Sequence, residues 1–114
     1  AGKKLVILFW TSWNEVSLEA LSALDDYARL PAANDTVFLA INSEEDKNVV
    51  TDIGRKRDIG INLLLDIDGA VGEAYRIGAL PLAVFIDRGG LITKKVIGPL
   101  SANILQSIFT NLGA

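Results

Sequence analysis

The sequence predicts a single α/β domain, spanning residues 1–114, in which a mixed central sheet is flanked by helices on both faces. Three observations predict it. The 114 residues are 50% hydrophobic, which fits one core and is too short a chain for two. Apolar runs of strand length alternate with segments of helical periodicity through most of the chain, as in parallel strands joined by right-handed crossovers. The last two apolar runs are separated only by Arg88-Gly89-Gly90, a tight turn that adds an antiparallel pair.

Each element follows from a local signal. Leu5-Val-Ile-Leu-Phe-Trp10 is apolar at consecutive positions, as in a central strand covered on both faces. A helix is expected from Glu15 to Leu30, with Leu21, Leu24 and Ala28 on one stripe and Asp25 and Asp26 falling away from it. Pro31 ends that helix. Thr36 to Asn42 is a second buried strand. Ser43 followed by Asp46 has the spacing of a capping box and opens a helix with Val49, Val50 and Ile53 facing inward, stopped near Gly60. Asn62 to Leu65 reads as a short strand, Asp66 to Gly69 as a turn, and Ala70 to Arg76 as a short helix with Gly78 at or beyond its C-terminus. Leu82 to Asp87 and Leu91 to Ile97 form the hairpin. Pro99 and Ser101 precede a last helix whose apolar face is Ile104, Leu105, Ile108 and Leu112, closed by Gly113. The order is β-α-β-α-β-α-β-β-α.

Composition removes several function classes. A net charge of −3 offers no basic stripe for phosphates, so no nucleic acid is expected as a partner. The one basic cluster, Arg55, Lys56 and Arg57, reads as a solvated helix face. Leu5 to Trp10 is far too short to cross a bilayer, and no signal peptide or lipidation motif is visible. The chain begins Ala-Gly and contains no methionine, as expected of an engineered or a processed product, from which any targeting segment could have been removed. Cysteine and histidine are both absent, so zinc and other nitrogen- or sulfur-preferring metals have no ligands here. Asp66-x-Asp68-Gly69 with Glu73 lacks the middle ligands and the spacing of a calcium loop, and a turn is the better reading. Glu44-Glu45-Asp46 reads as charge at a helix N-terminus. No glycine loop follows the first strand to cradle a phosphate. No cofactor is expected.

Three segments resemble a known family. Lys4-Leu-Val-Ile-Leu-Phe-Trp-Thr-Ser-Trp13, running straight into a helix, is similar to the opening strand of the TlpA/ResA-like thioredoxins, where the phrase "F-W-A-T/S-W" leads into the C-x-x-C motif. Tyr75-Arg-Ile-Gly-Ala-Leu-Pro-Leu-Ala-Val-Phe-Ile-Asp-Arg-Gly-Gly90 resembles the family's second signature, and Asn62-Leu-Leu-Leu-Asp66 its "F-P-V-L-L-D" insertion. The resemblance covers nearly the whole chain in order. It implies a thioredoxin-like fold, thiol–disulfide oxidoreductase ancestry and a bacterial periplasmic or other extracytoplasmic location.

Carried across residue by residue, the resemblance puts the two redox cysteines on Asn14 and Ser17, with Glu15-Val16 between them. Family members attack with a thiolate whose pKa is lowered by a helix N-terminus. Asn14 has no nucleophile, and Ser17 has a hydroxyl but no histidine to activate it. Asn14 reads as an N-cap, Ser17 as a tolerated first-turn residue, and Glu15 as a charge suited to the positive helix end. The resemblance also implies a cis peptide before Pro81, beside the redox pair, with neighbouring backbone able to pair with an extended peptide; Pro81 can equally serve only to shape the start of a strand. Trp10 is expected in the core, and Trp13, on the loop over the would-be active site, is expected to be partly exposed. Thr11 stands where a peroxiredoxin carries its threonine before the reactive cysteine, a reading that fails on the same missing sulfur.

Three functions are therefore open. The first is a redox-inactive, monomeric thioredoxin-like module that binds an extended peptide or protein partner through Trp13, Asn14, Glu15, Leu80 and Pro81, without metal or cofactor. The second is an oxidoreductase-family member by fold alone. The third is an engineered scaffold without native activity.

Overall fold

A computed structural model describes residues 2–75 and 78–111. Strand β1 (Lys4–Trp10) leads into helix α1 (Glu15–Ala28), followed by a 3-10 turn at Pro31–Ala33 and strand β2 (Thr36–Ser43). Helix α2 (Lys47–Lys56), strand β3 (Asn62–Asp66) and the short helix α3 (Ala70–Ala74) come next. Strands β4 (Leu82–Ile86) and β5 (Ile92–Ile97) and helix α4 (Ala102–Asn111) complete it.

The five strands form one mixed sheet in the order β3-β2-β1-β4-β5. β1 pairs with β2, and β2 with β3, in parallel, while β4 runs antiparallel to both β1 and β5. The consecutive apolar residues of β1 serve two layers. Val6, Leu8 and Trp10 pack under α1, α2 and α4 with Leu21, Leu24, Val50, Leu105 and Phe109. Ile7 and Phe9 face the other way with Ile41, Leu82 and Val84, against Tyr75 at the end of α3 and Leu80 before β4. Phe109 also contacts the rings of Tyr27, Phe38 and Phe85, which ties α4 to α1 and the sheet.

The helix boundaries show the local chemistry at work. α1 ends at Ala28 rather than Leu30, because the residue before a proline is pushed from helical to extended backbone, and Leu30 has φ −78° and ψ 145°. Asp25 does not fall away from the core: it is 2% exposed. Its Oδ1 accepts from the Gly60 and Ile61 N–H groups at 2.8 and 3.0 Å, and its Oδ2 from Arg29, so a buried carboxylate fastens the α2–β3 loop to α1.

α2 is capped by Asp46, whose Oδ1 accepts from the Asn48 and Val49 N–H groups at 2.9 and 3.1 Å. Ser43 is instead the last residue of β2, paired with Asp66. Arg55 and Lys56 lie on the solvated face and pair with Asp52. Arg57 departs from that face: it donates to the Leu18 carbonyl and the Ser22 hydroxyl of α1.

At the hairpin, Asp87 Oδ1 accepts from the Gly89 and Leu91 N–H groups, and Gly90 takes φ 88°, a conformation that glycine adopts without strain. Ser101 caps α4 through Ile104 N–H. On α4, Leu105 and Ile108 are buried as expected, but Ile104 is 38% exposed and Phe109 takes the inward place. The expected core position Leu112, the stop at Gly113 and the end of the third helix at Arg76 lie outside the described residues.

Candidate functional site

Because β4 runs antiparallel to β1, the segment that opens β4 lies beside the end of β1: Phe9 pairs with Leu82. The β1–α1 loop, with Trp13, Asn14 and Glu15, and the Leu80-Pro81 segment therefore meet at one end of the sheet. The Leu80–Pro81 peptide is cis. Pro81 is buried and its carbonyl accepts from Gly98 N–H at 2.9 Å, so it shapes this end of the sheet, and only Leu80 of the pair presents side-chain surface.

Asn14 has extended backbone, φ −119° and ψ 116°, and caps α1. Its Oδ1 accepts from the Val16 and Ser17 N–H groups at 2.9 and 3.3 Å, and its carbonyl accepts from Leu18 N–H. The side-chain oxygen thus occupies the helix-end donors that would otherwise favour an anion at this point. Glu15 is mostly exposed, with its carboxylate 3.5 Å from the Arg57 guanidinium.

The loop is held from below by a network that the sequence did not reveal. Ser12 donates both its N–H, at 2.8 Å, and its hydroxyl to the Glu45 carboxylate. The buried Asn42 amide donates to Glu45 Oε1 at 2.7 Å and accepts back from Glu45 N–H at 3.2 Å. Partial burial alone would raise the Glu45 carboxyl, but the hydrogen bonds from Ser12 and Asn42 outweigh it and hold it below its ordinary value. Glu45 is therefore a loop anchor rather than a helix-end charge. The β1–β2 register, which pairs Trp10 with Asn42, brings the residues that follow both strands to one place, and no local signal in the sequence gives that register.

Trp10 is buried and Trp13 is 75% exposed. Three buried polar atoms of this region have no hydrogen-bond partner: Trp10 Nε1, Thr11 Oγ1 and Ser17 Oγ. Ser17 therefore has no base within hydrogen-bonding reach. Glu45, the carboxylate beneath the loop, bonds Ser12 and Asn42 and favours its ionised form. Among the described residues, no base is hydrogen-bonded to the Ser17 hydroxyl to activate it.

The carboxylates near α3 act as caps. Asp66 accepts from the Val71 and Gly72 N–H groups, and Asp68 from Ala70 N–H. Among the described residues no group of three potential metal ligands is present, and no helix is long and apolar enough to cross a membrane.

A model of the AhpC/TSA family matches residues 1–95. The chain belongs to that family. Within it, the chain is similar to the sporulation thiol-disulfide oxidoreductase A of Bacillus subtilis, at 26% identity over 108 residues, covering 92% of this chain and 66% of the relative. It is similar also to the thiol-disulfide oxidoreductase ResA of the same organism, at 23% identity over 105 residues, covering 92% of this chain and 59% of that protein. The chain thus spans about two thirds or less of these relatives' length. The crystal structure of a secreted Mycobacterium tuberculosis disulfide oxidoreductase superposes with a TM-score of 0.85 at 24% identity, covering 96% of this chain and 82% of that one. The thioredoxin-like fold and the TlpA/ResA-like resemblance are borne out. This AhpC/TSA chain nevertheless contains no cysteine.

Proposed function

We propose that this chain is a redox-inactive member of the thiol–disulfide oxidoreductase branch that binds an extended peptide or protein segment through Trp13, Asn14, Glu15 and Leu80, with Pro81 shaping the groove. The observation that carries the reading is the pairing of a chemically silent helix start with an exposed tryptophan. Asn14 takes the N–H groups that a reactive thiolate would use, and Trp13 stands 75% exposed on a loop anchored by Glu45. Disulfide exchange needs a sulfur to attack and a sulfur to leave, and the chain has neither. An exposed aromatic on an anchored support is what peptide recognition asks for, since a rigid ring gives contact area with little ordering entropy. The likeness to a secreted disulfide oxidoreductase supports a location outside the cytoplasm.

The test is a binding screen of labelled extended peptides against the wild-type protein and Trp13→Ala, run beside an insulin-reduction assay. Peptide binding lost in Trp13→Ala, with no reductase activity above background, supports the reading. Peptides that bind both proteins equally, or none at all, overturn it.

A further inference from the structure

We infer that the open edge of β5, with the groove between β5 and α4, takes up an extended segment of another protein that carries two adjacent carboxylates flanked by apolar residues. The inference does not depend on Trp13 and goes beyond the peptide-binding reading above. It begins with the backbone. β5 is the last strand of the sheet, and among the described residues only β4 pairs with it. Gly98 N–H donates to the Pro81 carbonyl at 2.9 Å, and the next pair in the register is Ile97 with Leu82. In an antiparallel pair, hydrogen-bonded and non-hydrogen-bonded positions alternate. The bond at Gly98 therefore sets Val96 and Lys94 toward β4, and it turns the N–H and C=O groups of Lys95 and Ile97 to the open edge. A strand laid beside them would meet main-chain donors and acceptors that give affinity, while alternate side chains select the sequence.

The side chains bordering the edge determine what would be selected. Lys94 pairs with Phe85, on the face of the sheet that carries α4, and Lys95 pairs with Val84 on the opposite face. Both lysines are exposed, and Lys95 Nζ donates to a neutral acceptor, the Tyr75 carbonyl, at 3.4 Å. A groove of about 590 Å³ between β5 and α4 is lined in part by Lys94, Val96, Ile97, Asn103 and Ile104. Ile97 is 63% and Ile104 38% exposed, so apolar surface adjoins the lysines. The charge here has one sign. From Leu91 to Ala114 the sequence holds two lysines and no aspartate or glutamate, so neither β5 nor α4 supplies a carboxylate side chain to them. Asp87, the nearest acidic residue in the sequence, is taken up by the Gly89 and Leu91 N–H groups of the hairpin. Among the described residues neither lysine is in an ion pair.

A second copy of this chain does not suit the edge. Antiparallel pairing through Lys95 and Ile97 would bring Lys95 opposite its own counterpart or diagonal to it, within about 8 Å, where like charges repel. Lysine on an edge strand guards against such self-association. A segment with two consecutive carboxylates meets the lysines instead, one on each face, because successive side chains of a strand alternate. Apolar residues flanking the carboxylates then cover Ile97 and Ile104, along with the aliphatic stems of the lysines.

The experiment measures fluorescein-labelled peptides by anisotropy: valine and isoleucine around an Asp-Glu centre, the same peptide with Lys-Lys at its centre, and two forms of the acidic peptide N-methylated at alternate amides, one in each phase. The acidic peptide should bind and the Lys-Lys peptide should not. One N-methylated phase should lose about tenfold or more while the other binds as before, because only one side of an added strand faces β5. Lys94→Gln with Lys95→Gln should weaken the acidic peptide about fivefold, and rising salt should weaken it as well. Trp13→Ala should leave it unchanged. Equal binding in both N-methylated phases would exclude strand addition, and binding untouched by the lysine changes would exclude the charge pairing; either result overturns the inference, as does an acidic peptide that does not bind. Loss of binding in Trp13→Ala would assign the peptide to the Trp13 groove, so that reading would stand and this one fall. Sedimentation should show a monomer; a dimer that Lys94→Gln with Lys95→Gln tightens would seat a second copy on the edge and overturn the inference. The N-methylated peptides are measured on the wild-type protein, so the test decides even if the double variant folds poorly.

Discussion

Ser17→Ala should make the protein more stable. Ser17 sits in the first turn of α1, fully buried, and its hydroxyl has no partner. Burying a hydroxyl without a hydrogen bond costs about 1–3 kcal/mol on the scale of protein mutations. Alanine removes that group, leaves a gap of only one oxygen, and adds a few tenths of a kcal/mol through helix propensity. The net expectation is about 1–2 kcal/mol of stabilisation. Domains near this size gain about 4–8 °C in Tm for each kcal/mol, so thermal unfolding followed by circular dichroism should shift upward by at least about 4 °C. Urea unfolding should move its midpoint without changing its slope. The companion change Asn14→Ala removes a cap with two N–H partners and should go the other way by about 1 kcal/mol. Opposite signs three residues apart would be hard to obtain from general loop damage. A Ser17→Ala protein that melts at or below the wild-type temperature would refute the reasoning, and would mean that a buried water bonds the hydroxyl.

Asp25→Ala strips the Gly60 and Ile61 N–H groups of their acceptor and should cost about 2–4 kcal/mol in urea unfolding; a loss under half a kcal/mol would show that the loop rebonds to solvent. Glu45 has a folded-state carboxyl below its ordinary value, so its contribution is fully present above the unfolded carboxyl pKa of about 4.3 and is lost as pH falls through the folded value. Glu45→Gln should therefore be less stable at neutral pH and converge with wild type in acid, whereas a difference independent of pH would contradict the assignment. Asn14→Cys with Ser17→Cys should form an intramolecular disulfide under mild oxidation and gain weak exchange activity. The Glu15 carboxylate beside the new thiolate should hold that activity down. A folded variant whose two thiols still titrate after oxidation would place the lost redox pair elsewhere.

The sheet was legible in the sequence because burial on both faces leaves continuous apolar runs, as in Leu5 to Trp10 and Leu82 to Ile86. What the periodicity could not show was polar burial. Asp25 looks like a surface residue on the helical pattern, and becomes a core residue only because Gly60 and Ile61, some 35 positions away, need an acceptor. Ser12 and Glu45 are 33 positions apart, and nothing local to either announces the bond. Ser43 and Asp46 have capping-box spacing, but Ser43 is taken into the strand ladder with Asp66, and the cap moves to Asp46. Ile104 and Phe109 exchanged places for a similar reason. Both fit an apolar stripe, and the rings of Tyr27, Phe38 and Phe85 select the phenylalanine.

The hydrogen bonds around the β1–α1 loop show how its shape is held without sulfur. Three side chains that hold the β1–α1 loop have their hydrogen bonds: Asn14 with the helix N–H groups, Ser12 with Glu45, Asn42 with Glu45. None of these bonds needs a sulfur. The partnerless buried atoms include Ser17 Oγ, at the position where the family resemblance places the second cysteine. A thiol tolerates apolar burial well and a hydroxyl does not. An unmet bond at Ser17 is what the proposed replacement of a cysteine by serine at this position would leave. Because that deficit lies inside the domain and the satisfied network lies under the loop, Trp13 is exposed on a support that does not depend on a disulfide for its geometry. A surface so held would offer the partner proposed above little ordering entropy to overcome.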